Sequence, residues 1–183
     1  MADAVTLRPA LATDLPAMAA VEQSAYPAAV HEGAGVLGAH LSLDPEGAWV
    51  ACAAGGAVVG YILSHPLPLA ACPMEIDGQP LAGGARPAAE TLYLHDIAVL
   101  PQFRAAGAGR QLLARVEGWA LELGLPTITL TAVCGAWDHW ARRGFTELAR
   151  ASTATVSPEG LLSDSAIARL RSYPCASLLR ILT

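Results

Sequence analysis

The feature that most constrains this chain is one uninterrupted run, from Thr91 to Gly124, in which a strand-like segment, a loop of small residues and a helix-like segment follow one another. Thr91 to Val99 is rich in β-branched and aromatic residues and alternates its side chains as a strand does. Arg104, Ala105, Ala106, Gly107, Ala108, Gly109 and Arg110 make the loop. From Gly107 onward, Leu112, Leu113, Val116, Ala120 and Leu123 recur at helical spacing, with Arg110, Arg115, Glu117 and Glu122 on the remaining face. That order predicts an anion site, because the first N–H groups of a helix lack internal partners and the helix dipole adds partial positive charge there. Gly107 and Gly109 let the backbone turn tightly and approach a bulky anion, and Arg104 and Arg110 add charge at the two ends.

Two common phosphate loops do not fit. The dinucleotide fingerprint needs three spaced glycines with an acidic residue on the next strand, and the Walker loop needs Gly-Lys-Ser or Gly-Lys-Thr. The residues resemble instead the pyrophosphate loop of the GNAT superfamily of N-acetyltransferases: Gln or Arg, two residues, Gly, one residue, then Gly or Ala, filled here by Arg104, Gly107 and Gly109. Ile97, Ala98, Val99, Leu100 and Pro101 precede the loop as that family's cofactor strand does. Trp140 to Phe145 resembles its helix end, an aromatic, three residues, then Gly-Phe.

The resemblance implies an α/β fold with a mixed, mostly antiparallel sheet and flanking helices, spanning residues 1–183 as a single domain. In it the strand ending at Leu100 and the strand of Thr127 to Val133 splay apart. It further implies acetyl-CoA as cosubstrate, held by Ile97, Ala98, Val99 and the loop Arg104, Ala105, Ala106, Gly107, Ala108, Gly109 and Arg110. An amine would attack the thioester directly in a ternary complex, with the Ile97 N–H polarising the acetyl carbonyl. No metal and no covalent acyl-enzyme are implied.

Composition agrees with such a domain. Of 183 residues, 54% are hydrophobic and 15% charged, enough to fill a core. The net charge of -5 and pI near 5.4 argue against a nucleic-acid surface and suit a cationic amine substrate. Cys52, Cys72, Cys134 and Cys175 lack paired metal-ligand spacing and read as reduced thiols, which suggests a cytoplasmic protein. No segment has the pattern of a secretory signal or the length of a membrane span. A monomer or a homodimer is expected.

Along the chain, Val5 to Arg8 predicts a first strand that Pro9 ends or places at an edge. A helix follows, capped by Thr13 or Asp14, with Leu15, Met18, Val21 and Ala25 on its apolar face and Tyr26-Pro27 closing it. Val30 to Leu41 is a second helical candidate interrupted by Gly33, Gly35 and Gly38. Ala48 to Ala54 and Ala57 to His65 predict a hairpin across Gly55-Gly56. Pro66 to Glu90 has no periodicity and reads as a long loop or small extra hairpin, a candidate wall for the acceptor pocket. Further strands are expected over Thr127 to Val133, Phe145 to Arg150 and Ser177 to Leu182, and helices over Ala136 to Arg143 and within Pro158 to Leu170.

The candidate chemistry centres on the strand before the loop. Strict alternation puts Tyr93, His95, Ile97 and Val99 on one face and Leu94, Asp96 and Ala98 on the other. A neutral imidazole at His95, two residues before Ile97, suits proton removal from an amine, directly or through water. This strand is similar to that of the arylalkylamine N-acetyltransferase branch, which carries two histidines at this spacing; here Tyr93 occupies the first position. By the same resemblance the first helical pair faces the acceptor, so Glu22, Tyr26, His31 and Glu32 are candidates to line it. The family's usual thiolate-protonating Tyr is replaced by Trp140, whose indole N–H is a donor only. Cys134, His139, Tyr173 or water are the substitutes, and Val133 stands where many members have an Asn. The implied activity is acetyl transfer to a primary amine of a small molecule. Two alternatives remain open: a peptide or protein N-terminal acetyltransferase, and a CoA-binding sensor module without efficient catalysis.

Overall fold

The computed structural model describes residues 4–68, 89–133, 135–150 and 176–182. Seven strands form one sheet in the order β1-β2-β3-β4-β5-β7-β6. They are β1 (Thr6–Pro9), β2 (Ala48–Cys52), β3 (Val58–Leu67), β4 (Thr91–Val99), β5 (Thr127–Ala132), β6 (Thr146–Arg150) and β7 (Ala176–Ile181). Four α-helices accompany them: α1 (Leu15–Ala25), α2 (Gly33–Leu43), α3 (Ala108–Glu122) and α4 (Trp137–Ala141). Pro9 is tolerated because β1 lies at the sheet's edge.

The two faces of the sheet are covered by different helices. On one side α3 presents Leu112, Leu113, Val116, Trp119 and Ala120 to Ile62, Leu92, Leu94, Val99, Ile128 and Leu130. On the other, Met18 and Val21 of α1 and Leu37 and Leu41 of α2 meet Val50, Tyr61, Leu63 and Ala98. Neighbouring β3 residues Tyr61 and Ile62 thus point into opposite layers, as period-two alternation requires. Met18, Leu37, Leu112 and Ile128 are fully buried, each contributing roughly 1.5–3 kcal/mol of transfer free energy. On α3 the inward position belongs to Trp119, whereas Leu123, expected inside, follows the helix and stays 40% exposed.

Only β4 and β5 run parallel, and their pairing is short: Leu92 with Ile128, Tyr93 with Thr129 and Leu94 with Leu130. Beyond these residues no pair joins the two strands among the described residues, so they open apart as the family resemblance implies. The hairpin between β2 and β3 closes through Gly56 N–H on the Ala53 carbonyl, and β3 runs on to Leu67, past the expected end at His65. The remainder of the Pro66 to Glu90 segment (residues 69–88), the helix expected within Pro158 to Leu170, and Cys72, Cys134, Tyr173 and Cys175 lie outside the described residues.

Candidate active site at the opening between β4 and β5

The opening takes its geometry from an irregularity in β4. Leu63 pairs with Asp96 and Ser64 with Leu94, so His95 is an extra residue with no partner opposite, a β-bulge. The bulge resets the alternation: Leu94 and Ile97 both face the α3 layer, while His95 and Asp96 both meet residues of α1, α2 and β3. The strict alternation expected from sequence, with His95 and Ile97 on one face and Asp96 on the other, is therefore corrected.

Two buried polar groupings flank the bulge. Asp96 is braced by Tyr61 of β3, which donates to its Oδ2, and by the Tyr26 hydroxyl, 2.8 Å from its Oδ1. The same Tyr26 hydroxyl lies 2.6 Å from the Ile97 carbonyl, so its one hydrogen is shared between the two acceptors. Burial pushes the Asp96 carboxyl above its usual range, against the two hydroxyls and the nearby His95, and burial likewise raises both tyrosines. Tyr26, expected to line the acceptor site, is thus a clamp on the peptide that follows Ile97.

The second grouping is made of histidines. His95 Nε2 lies 2.9 Å from Glu32 Oε2, and the His40 ring stacks on His95 with centroids 3.5 Å apart and planes 16° from parallel. His40 Nδ1 shares a 3.0 Å hydrogen bond with His65 Nε2. Burial, reinforced by the other imidazoles, drives His40 down to about 2 and His65 down to about 3, so both stay neutral at physiological pH. His40 Nε2, His65 Nδ1 and His95 Nδ1 are sealed from solvent without partners. Glu32, His40 and His95 place one donor atom each within 4.8 Å of the others. The face-to-face stack, however, runs the two in-plane lone pairs side by side, and a tetrahedral ion would require one ring to turn.

Glu22 and His31, expected at the acceptor, are occupied locally. Both carboxylate oxygens of Glu22, a residue only 1% exposed, accept from the start of α2, at 2.5 Å from Glu32 N–H and 3.0 Å from Gly33 N–H. His31 Nε2 lies 2.9 Å from the Tyr26 carbonyl. Tyr93 reaches across to Thr131 of β5 at 3.4 Å, where the strands begin to part. From sequence, Glu32 has only a general place near the acceptor and His40 and His65 have none; their meeting with His95 depends on long-range packing that no local pattern encodes.

At the far end of β4 the loop has the features a phosphate needs. Gly107 adopts φ +78° at the start of α3, with no side chain capping the helix. The first intrahelical bond runs from Gln111 N–H to the Gly107 carbonyl, so the amides of Ala108, Gly109 and Arg110 have no backbone acceptor among the described residues. Arg104 Nε donates to the Val99 carbonyl at 3.3 Å. A Cβ on Gly109 would meet only Val99, at an ordinary 3.6 Å. Near the loop, His139 is lowered by burial and then by Arg143, Arg142 and Arg104, a local concentration of cations in an acidic protein. Trp140 is 7% exposed and packs edge-on against Phe145 at 5.2 Å, the place of a structural aromatic.

The sheet is thus open between two parallel strands, with uncapped helix amides at one end and ionisable groups on the bulged strand. The chain belongs to the Acetyltransferase (GNAT) family, whose model matches residues 15–145. No curated protein matches it. Among solved structures, it is similar to the GphF GNAT-like decarboxylase in complex with isobutyryl-CoA, at 19% identity and a TM-score of 0.71, covering 97% of this chain and 100% of that one. The ribosomal-protein-S18-alanine N-acetyltransferase from Escherichia coli gives 17% identity and a TM-score of 0.61, covering 98% of this chain and 94% of that one. Chaetomium thermophilum Naa20, in complex with a bisubstrate analogue, gives 14% identity and a TM-score of 0.65, covering 97% and 86%. These likenesses establish the fold. No helix among the described residues is long and apolar enough to cross a membrane.

Proposed function

We propose that this chain is a single N-acetyltransferase domain that moves an acetyl group from acetyl-CoA to the primary amine of a small molecule. The pyrophosphate would sit on the amides of Ala108, Gly109 and Arg110, with Arg104 and Arg110 beside it. The thioester would lie along Ile97, Ala98 and Val99 in the gap where β4 and β5 part. The amine nitrogen attacks the thioester carbon, the C–N bond forms, and the Ile97 N–H steadies the oxyanion. The C–S bond then breaks, and the CoA thiolate takes its proton from water, since Trp140 has none to give at neutral pH.

The observation that carries this reading is the His95–Glu32 pair on the β4 bulge, two residues before Ile97. A structural bulge needs no such pair, whereas amine acetylation needs a proton acceptor beside the thioester. The His95 position is also the one likeness to the arylalkylamine branch, which favours a small primary amine over a peptide N-terminus. A CoA-release screen with acetyl-CoA and arylalkylamines, polyamines, amino acids, aminoglycosides and short peptides tests it. Release with small amines and none with peptides is expected. Turnover confined to peptides would move the protein to N-terminal acetylation, and acetyl-CoA binding without turnover would make it a sensor.

A further inference from the structure

We propose that Glu32 is the proton acceptor that meets the amine, with His95 behind it as its positioning partner. The inference rests on the acetyltransferase reading above and assigns the catalytic contact within it. Neither nitrogen of His95 is open to an incoming amine, because Nε2 faces Glu32 Oε2 at 2.9 Å and Nδ1 is sealed from solvent. The Glu32 side chain is 11% exposed against 5% for His95, so the carboxylate is the outward member of the pair. Its Oε1 has no hydrogen-bond partner among the described residues and is not among the sealed atoms.

The surroundings hold Glu32 in that role. Glu22 anchors the backbone on which it stands, accepting from Glu32 N–H and Gly33 N–H. Glu32 is the N-cap residue of α2, where the helix dipole favours a carboxylate. His95 satisfies one oxygen through Nε2–H, which leaves its sealed Nδ1 as a bare lone pair, the cheaper of the two atoms to bury unpaired. The other groups facing the pair are His40 from α2, His65 from β3, Tyr93 and Asp96 from β4, and Tyr26 from α1. His40 and His65 are neutral, so they offer no competing cation.

The step balances without any other reactant. An ammonium substrate pairs with Glu32 and gives one proton to Oε1, which frees the nitrogen lone pair. That pair forms the C–N bond, and the C–S electrons then leave on the CoA thiolate as the oxyanion collapses. The second nitrogen proton is lost to solvent, the thiolate is protonated by water, and Glu32 returns its proton to solvent. The result is the amide, free CoA and one proton released.

A test separates catalysis from scaffolding by varying how tightly the substrate holds its proton. The parent and Glu32→Gln proteins are compared on the best amine of the screen and on its β-fluorinated analogues, which arrive progressively more neutral. The expected loss in kcat/KM is about a hundredfold or more for the basic amine, in the range of general base catalysis, shrinking steadily along the fluorinated series. Acetyl-CoA affinity and circular dichroism should match the parent, and Glu32→Asp should restore part of the rate. A loss equal across the series, or near-parent turnover in a folded Glu32→Gln protein, overturns the assignment and leaves the acetyltransferase reading standing. A parent that turns over no amine overturns both.

Discussion

At His95 two substitutions distinguish a donor to Glu32 from a base. Gln keeps an N–H that can reach Glu32, while Ala keeps nothing. If His95 works by holding Glu32 Oε2, His95→Ala should lower turnover by about 10² and His95→Gln should recover most of it, with acetyl-CoA affinity unchanged in both. Equal losses in the two variants would mean that the imidazole itself takes the proton. Away from the site, Arg8 holds Asp14 through two hydrogen bonds of 2.6 and 2.7 Å, and Asp14 also accepts from Leu11 N–H at 2.8 Å. The guanidinium, opposed by burial and helped by the Leu11 amide, keeps the Asp14 carboxyl below its usual range. A depressed carboxylate adds stability that is complete above the unfolded value of about 3.9 and disappears as pH falls through the lower folded value. Because the Arg8 side chain is 39% exposed and the pair is screened by solvent, Asp14→Asn should cost only about 0.5–1 kcal/mol at neutral pH. That deficit should shrink as melts are run at progressively lower pH below about 4, and a deficit independent of pH would refute the ion-pair account. Of the groups on the bulge, His95 was legible in the sequence, but its orientation and its meeting with His40 and His65 were not. His95 was found because a histidine stood two residues before Ile97, but a one-residue bulge has no sequence signature here and reversed its face relative to Ile97.

At the scale of elements, β4, its loop and α3 fall where the sequence put them, because strand composition, small-residue loop and helical period all agree locally. The α1–α2 pair was harder to read. Gly33, Gly35 and Gly38 weaken the helical signal of α2, and what steadies its start is the Glu22 carboxylate, ten residues back from the Glu32 amide it holds. The two loop glycines, alike in sequence, differ in conformation, since only Gly107 has a positive φ, which makes them a matched test. Gly107 sits at φ +78°, where a side chain costs about 1–2 kcal/mol. Gly107→Ala should therefore turn the amides of Ala108 and Gly109 away from the pyrophosphate and weaken acetyl-CoA by up to about tenfold in calorimetric titration. Gly109→Ala meets only Val99 at an ordinary 3.6 Å and should bind within about twofold of the parent. Parent-like affinity in a folded Gly107→Ala protein would remove the loop from the cofactor site.

The whole molecule is two apolar layers closed around a sheet that is open along part of its middle. An open seam between parallel strands leaves backbone amides and carbonyls without partners, a state that favours whatever ligand completes it. Composition and period made the α/β class legible, but the seam was foreseen only through the family resemblance. Nothing in Leu92 to Leu94 or Ile128 to Leu130 shows locally that pairing stops there. If acetyl-CoA spans the seam and binds only the folded chain, stability must rise with its concentration by mass action. At a hundred times the dissociation constant the gain is about 2.7 kcal/mol. For a chain of 183 residues that corresponds to a Tm increase of about 5–10 °C. Differential scanning calorimetry over a ligand series checks it, with the shift growing logarithmically with acetyl-CoA above saturation and reduced in the Gly107→Ala protein. A parent whose Tm ignores acetyl-CoA at concentrations far above the cellular range would show that the seam is not a cofactor cleft.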